Sequence, residues 1–392
     1  MEWTEEARKT PVVGNYDVLV AGGGIAGVSA ALAAARMGKS VCLVDAAAAL
    51  GGLATLGMIV IYMPLCDGKG HQLAGGIAEE LFRAAYRWGP DHYPHNWPEG
   101  GRLEAAYDAV PMMLSLEELI LEAGVQIRYE CRVCALHAEG DEIRGVITES
   151  KAGRQGIAAK MIVDATGDAD LCRMAGEKVG KSQGNVAAGW YMAKQEKNLQ
   201  LITKTRKKWS VQPENLADAH ELEELEEEER RYSPEEGTEI LLRERYQVRR
   251  HAKDRLAKGD YPALIGLLPQ VLKTYRLDNG FFLSKADEGK DFPDSIGRIG
   301  DWREAGPVYS LPYRMLPAGK MKNLITAGRC IAVADDLWDV TRVIPACAVT
   351  GQAAGTACAL ALDTGKDLQT VDVQALRKEL CRQGAMIPGE KE

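Results

Sequence analysis

The sequence predicts an α/β fold, a doubly wound sheet with a second, α+β domain beside it. Three observations predict it. An apolar strand near the N-terminus runs into a glycine turn and an alanine-rich helix. A second apolar strand ends in a glycine turn at 161–168. A strand, a turn and a helix rich in small residues close the chain at 323–362. With 392 residues, the chain is long enough for a large core and two domains.

The first element is the strand Asp17–Ala21, followed by Gly22-Gly23-Gly24-Ile25-Ala26-Gly27 and a helix over Ile25–Met37. Gly22 permits the tight turn, Gly24 lets backbone N–H groups approach a pyrophosphate, and Gly27 lets the helix sit close to its strand. Ile25 and Ala26 open the helix, whose unpaired amides and dipole favour an anion. Lys39–Val44 is the next parallel strand, ending in Asp45, an acid at the spacing of one that accepts bonds from an adenosine ribose. A ribose 2'-phosphate would be repelled there. The plainer alternative is a doubly wound domain whose first turn has kept only its shape. Gly51, Gly52, Thr55 and Gly57 then form a second turn that brings backbone close to a bulky ligand, or an ordinary loop.

Further along, Leu73–Trp88 reads as a helix and Gly89–Gly101 as a substrate-facing loop. Pro111–Glu122 is another helix. Val125–Tyr129, Cys131–Ala138 and Ile143–Glu149 read as a small meander leading into the buried strand Met161–Val163, the turn at Thr166 and Gly167, and Asp168. Beyond Gln183, a glutamate-rich run at Ala217–Arg231, a helix at Thr238–Leu256 and apolar segments at 264–272 and 281–284 suggest a substrate or cap domain. Asn323–Cys330 reads as strand and turn, and Pro345–Leu362 as a helix whose Gly351, Ala353, Ala354 and Gly355 let it approach the sheet.

Composition narrows the partners. A formal charge of -8 argues against a nonspecific polyanion binder, so no nucleic acid is expected. Apolar runs such as Met58–Leu65 are too short for an integral membrane segment, which makes a cytoplasmic protein the default. The nine cysteines are dispersed. Cys131 and Cys134 lie on an expected strand Arg128–Leu136, where side chains three apart point to opposite faces. Neither they nor His92 and His95 complete a metal site, and no metal is expected.

Taken together, Gly22–Gly27, Asp45, Gly51–Thr55, Ala165–Asp168, Leu311–Leu316, Ala327–Cys330 and Arg342–Gly355 resemble the bacterial FAD-dependent oxidoreductases of the glutathione-reductase-like two-domain group. The resemblance spans nearly the whole chain. It implies a discontinuous Rossmann-like FAD-binding domain from residues 1–58, 104–175 and 312–392, with 59–103 and 176–311 as the substrate or cap domain. By the same resemblance, Gly52 and Thr55 lie near the pyrophosphate or flavin, Val133 approaches the adenine through its backbone, and Thr166 and Gly167 line the adenosine side. Gly328 and Arg329 pass the ribitol and pyrophosphate, and Gly351, Gln352 and Ala353 approach the flavin. Two departures stand out: Asp45 replaces the commoner Glu, and Ala46–Ala49 replaces a basic residue often found near the adenosine phosphate. There is one complete fingerprint and no second unit for a nicotinamide.

For chemistry, Arg314 and Arg342 are the first candidates, since a guanidinium fixes a carboxylate or enolate by paired hydrogen bonds. Structural bridges to acids are the alternative. His71 is a candidate for proton transfer or a covalent flavin tether. Cys330 and Cys347 read as small core residues rather than a redox pair, and Tyr62 and Tyr313 as hydrogen-bond donors or packed aromatics. The expected function is an FAD-dependent oxidoreductase or dehydrogenase of an unidentified small organic substrate, by hydride transfer to flavin N5, with a separate electron acceptor or donor. A redox-neutral flavin isomerase or lyase and a nonenzymatic flavin sensor are the alternatives. Homo-oligomerisation stays open.

Overall fold

The computed structural model describes residues 3, 7–63, 65–89, 93–94, 104–182, 187–188, 190–195, 198–202, 205–206, 234–256 and 259–390. The expected acidic run at 217–231, His92, His95 and most of Gly89–Gly101 lie outside them.

The core is a seven-stranded sheet, β1 (Val12–Ala21), β2 (Val41–Val44), β3 (Gln126–Arg128), β4 (Arg132–Glu139), β5 (Glu142–Ser150), β6 (Gly153–Asp164) and β7 (Leu324–Thr326). Its order is β3-β2-β1-β6-β5-β4, with β7 also pairing β6. Val18–Ala21 and Val41–Val44 are buried throughout, as continuous apolar runs must be when both faces of a parallel sheet are covered. The helices of the described residues are α1 (Ile25–Arg36), α2 (Ile77–Ala84), α3 (Ala109–Glu122), α4 (Asp170–Met174), α5 (Pro234–Leu256), α6 (Asp335–Thr341), α7 (Ile344–Thr364) and α8 (Val373–Arg382).

Register sets the crevice. Ala21 pairs with both Val44 and Asp164, and Thr326 pairs with Asp164, so β2, β1, β6 and β7 end level with one another. In a doubly wound sheet such a row of carboxyl ends is where ligands bind.

Four expectations change. The strand expected over Arg128–Leu136 is broken at Glu130, which takes a left-handed φ of 53°. There the chain leaves its parallel partner β2 for its antiparallel partner β5, and the Glu130 and Cys131 amides donate to Ala47 and Asp45 carbonyls. The meander is β4-β5-β6, part of the main sheet, with β3 placed at the opposite edge. The helix expected over 73–88 contracts to Ile77–Ala84, because Gly76, at a φ of 57°, cannot continue it backwards. Among the described residues one helix, α7, is long and apolar enough to cross a membrane by length and composition, and it is buried inside the protein. Its glycines face α1 rather than the sheet. A Cβ at Gly351 would lie 2.2 Å from the Ala26 carbonyl oxygen, and one at Gly355 2.1 Å from that of Ala30.

The intervening region holds a three-stranded antiparallel sheet of Tyr191–Gln195, Asn198–Ile202 and Tyr261–Ile265. Val248 of α5 joins Tyr191, Ala193 and Ile202 in a small core of its own.

Candidate active site

The glycine turn follows β1 directly. Gly22 has a φ of 102°, and a Cβ there would lie 2.4 Å from the Ala165 carbonyl oxygen. A Cβ at Gly27 would lie 1.8 Å from the Gly22 carbonyl oxygen, so α1 rests on the turn itself. Gly24 differs from both. Its φ of -66° suits any residue, and a Cβ there would meet nothing within 4 Å. The first bond inside α1 runs from the Val28 amide to the Gly24 carbonyl, 2.9 Å, so the amides of Ile25, Ala26 and Gly27 precede the helical ladder.

Asp45, at the end of β2, accepts the Gly23 amide at 2.5 Å and the Ala47 amide at 2.6 Å. Burial pushes its carboxyl up, while these two amides and the charge of Arg132 oppose the rise. Arg132 thus places a cation on this side of the crevice from β4, although Ala46–Ala49 supplies none. The second turn closes against the first through a bridge between Gly24 and Gly51, and a Cβ at Gly52 would lie 3.3 Å from the Gly24 Cα. Thr55 is fully buried and donates its hydroxyl to the Leu50 carbonyl at 2.6 Å, a bond that holds the turn's shape.

On the other flank, Thr166 donates its hydroxyl to Asp164 at 2.7 Å, and its Oγ1 accepts the Asp170 amide at 3.1 Å. Asp164, fully buried, also accepts the Leu171 and Cys172 amides at 2.9 and 3.0 Å, capping α4. Gly167, φ 81°, lies under the Arg329 guanidinium, which a Cβ would meet at 2.5 Å. Arg329 donates to Asp168 at 3.2 Å and to the Val271 carbonyl at 2.9 Å. Gly328 sits between the helix starts: a Cβ there would lie 2.7 Å from the Ala26 Cβ and 3.6 Å from the Cys347 Sγ at the head of α7. Val133 stays on the edge strand β4, paired with Thr148.

Open space at Gly24, the first-turn helix amides, an acid on one flank and Arg329 on the other fit a dinucleotide. A family model of FAD dependent oxidoreductases matches residues 17–263 and 285–380. The chain belongs to that family. Its cofactor is FAD. The fold is similar to that of a geranylgeranyl bacteriochlorophyll reductase-like protein from Thermoplasma acidophilum, at 14% identity, TM-score 0.51, over 94% of this chain and 84% of that one. A flavin-dependent brominase matches more loosely, at 13% identity and TM-score 0.48 over 93% of this chain and 83% of that one. A flavoprotein/dehydrogenase from Cytophaga hutchinsonii does so at 14% and 0.45, over 92% and 82%. No curated protein matches the chain.

The remaining candidates of this flavoenzyme separate by position. Gln352 is buried, accepts the Ile77 amide at 3.0 Å and donates to Gln383 at 3.2 Å, stapling α7 to α2 and α8. Ala353 is wholly buried in α7. Arg314 spends its guanidinium on Asp294, at 2.8 and 2.5 Å, between Phe281 and Phe292. His71 is 77% exposed and pairs with Asp67 at 2.8 Å. Tyr62 and Tyr313 are buried and donate to the Ala78 and Leu368 carbonyls. Cys330 and Cys347 are free thiols; burial pushes Cys347 up to about 12, which leaves it protonated. Cys131 and Cys134 are also free.

Arg342 stands apart. It ends α6, its side chain is 12% exposed, and its Nε donates to Asp339 at 2.9 Å. Its carbonyl accepts the Cys347 thiol at 3.3 Å, which places it beside Gly328 and the glycine turn. Sequence reasoning missed the opposite wall. Lys273 reaches Asp339 at 3.4 Å and Thr274 reaches Asp168 at 2.5 Å, so the 271–274 segment closes over the arginines. No local pattern announces such contacts. A separate surface cavity of about 550 Å³, lined by Glu79, Glu80, Arg83, Tyr86 and Arg87 among others, shares no lining residue with this crevice. Its charges are already paired with one another and with Arg36 and Glu118.

Proposed function

We propose that this chain oxidises a small organic molecule at the mouth of the groove between the glycine turns, α7 and the 271–274 segment. The observation that carries the reading is the open space at Gly24, beside the second glycine turn and the first-turn amides of α1. Gly22, Gly24, Ile25, Ala26 and Gly27 would hold the pyrophosphate, Asp45 the adenosine ribose, and Gly52, Gly328 and Arg329 the stretch between. Bound there, FAD supplies two-electron chemistry, accepting hydride at its N5. The chain's own part is to orient the substrate, exclude water and set the local field, with Arg342 the charged side chain best placed for it. A separate electron acceptor completes the cycle.

The division proposed is a cofactor domain of residues 1–58, 104–175 and 312–392, with 59–103 and 176–311 over the substrate. The register that levels β1, β2, β6 and β7 supports it. A cytoplasmic location is part of the same reading, supported by nine dispersed thiols with no disulfide among them.

The test is anaerobic mixing of the FAD-loaded protein with candidate organic donors and with NAD(P)H. Bleaching of the oxidised flavin band by an organic donor is the expected result. Folded protein that takes up no FAD, or flavin reduced only by a protein partner, would sink the proposal.

A further inference from the structure

We infer that Arg342 binds a carboxylate of the substrate, at the junction between the glycine-turn crevice and the 271–274 segment. The inference rests on the flavoenzyme reading above and narrows its substrate class to organic acids.

The argument starts from an unfinished pairing. The Arg342 Nε is held by Asp339, and the Asp339 backbone is fixed in turn by the Trp302 indole, which donates to its carbonyl at 2.9 Å. The two terminal nitrogens of Arg342 have no acceptor among the described residues, yet they are not enclosed in the packed interior. A guanidinium stays charged and presents its donors in a rigid fork, so a largely buried one with an open edge calls for an acceptor of matching shape. A carboxylate has that shape, two oxygens in one plane.

Neighbouring charge points the same way. Arg329, whose charge also acts on Cys347, is spent on Asp168 and the Val271 carbonyl. Asp339 is shared with Lys273. Burial draws the Arg342 guanidinium down, and Arg329 adds to this, so an incoming anion relieves a strain that Asp339 only partly offsets. Arg314 offers no such opening, since both of its contacting nitrogens already grip Asp294. The phosphates of the cofactor have their own donors in the first turn of α1, which leaves the Arg342 fork for the substrate.

The experiment uses the FAD-loaded protein and matched pairs of probes: acetate and acetamide, succinate and succinamide, benzoate and benzamide. Binding is read as perturbation of the flavin absorbance band. The wild type is expected to bind at least one acid about tenfold or more tighter than its amide. Arg342→Gln is expected to lose that preference while keeping its FAD content, and Arg342→Lys, which keeps the charge but not the fork, to fall between them. The inference is overturned if no acid outbinds its amide in the wild type, if Arg342→Gln keeps the preference, or if the glutamine variant folds but sheds FAD, which would assign the fork to the cofactor. If Arg342→Gln does not fold, Arg342→Lys decides by the same preference. A folded wild type that takes up no flavin would remove the reading underneath instead.

Discussion

Arg314 and Arg342 have the same credentials in the sequence, each in an apolar segment near the end of the chain, and the fold gives them different work. Arg314 closes a two-pronged bridge with Asp294, which it holds below the usual carboxylate range although burial works against it. About half of the Arg314 side chain is open to solvent, so Arg314→Gln should cost only about 1 kcal/mol of stability, measurable by urea denaturation. It should leave donor-driven flavin reduction unchanged. Arg342→Gln should do the reverse, slowing reduction in stopped-flow mixing by about tenfold to a thousandfold while flavin stays bound. Equal slowing by both variants would contradict this division. The distinction was not legible beforehand, because the partner of Arg314 lies 20 residues upstream and a pairing of that kind leaves no periodic trace. Gly22 and Gly27 were legible, since the tight turn and the seat of the helix on it each need a missing Cβ at a fixed spacing.

At the scale of elements, what could be read depended on how local the cause was. α1, α3 and α7 were found nearly to their ends from runs of small and apolar residues. The boundary at Glu130 was read in the separation of Val125–Tyr129 from Cys131–Ala138, but its cause, a change of strand partner, was not. Helix α5 was recognised as a helix, but its link to the site was hidden. Glu244 on its buried face accepts the Gln270 amide at 3.3 Å, and the Gln270 side chain donates to the Gly57 carbonyl in the second glycine turn. Burial pushes the Glu244 carboxyl up to about 8, with the Gln270 amide and Arg245 opposing. A raised acid favours the folded state in its protonated form. Its stabilisation is full below the ordinary value near 4.5 and drains away as the pH rises towards 8. Glu244→Gln removes that titration. It should melt a few degrees above the wild type at pH 9 and together with it at pH 4, by calorimetry. Parallel pH profiles for the two proteins would refute the assignment.

For the whole molecule, the cofactor half was legible because its signals are short strand-turn-helix units, each complete within a few dozen residues. The intervening half was not. Its segments read only as apolar or polar, and their meaning lies in where Val271, Lys273 and Thr274 land on residues from both sides of the sequence. The site is therefore a property of the full chain. A protein ending near residue 320 keeps the whole fingerprint at Gly22–Gly27 but loses β7, Gly328 and α7. It should fail to retain FAD through gel filtration, and stoichiometric flavin in such a fragment would show that the N-terminal units suffice.

The pairing of β7 with β6 also sets a timetable. Ile162 must wait for Leu324, and Ala30 for Gly355, so when the ribosome has finished the first six strands the outer end of β6 is still bare and the face of α1 that α7 will cover is open. At about 5 to 20 residues per second, that interval lasts on the order of ten seconds or more. The nascent chain has to keep that apolar face out of trouble for that long, which makes this stretch of synthesis the natural point for a chaperone to intervene and defers flavin loading until α7 has been made.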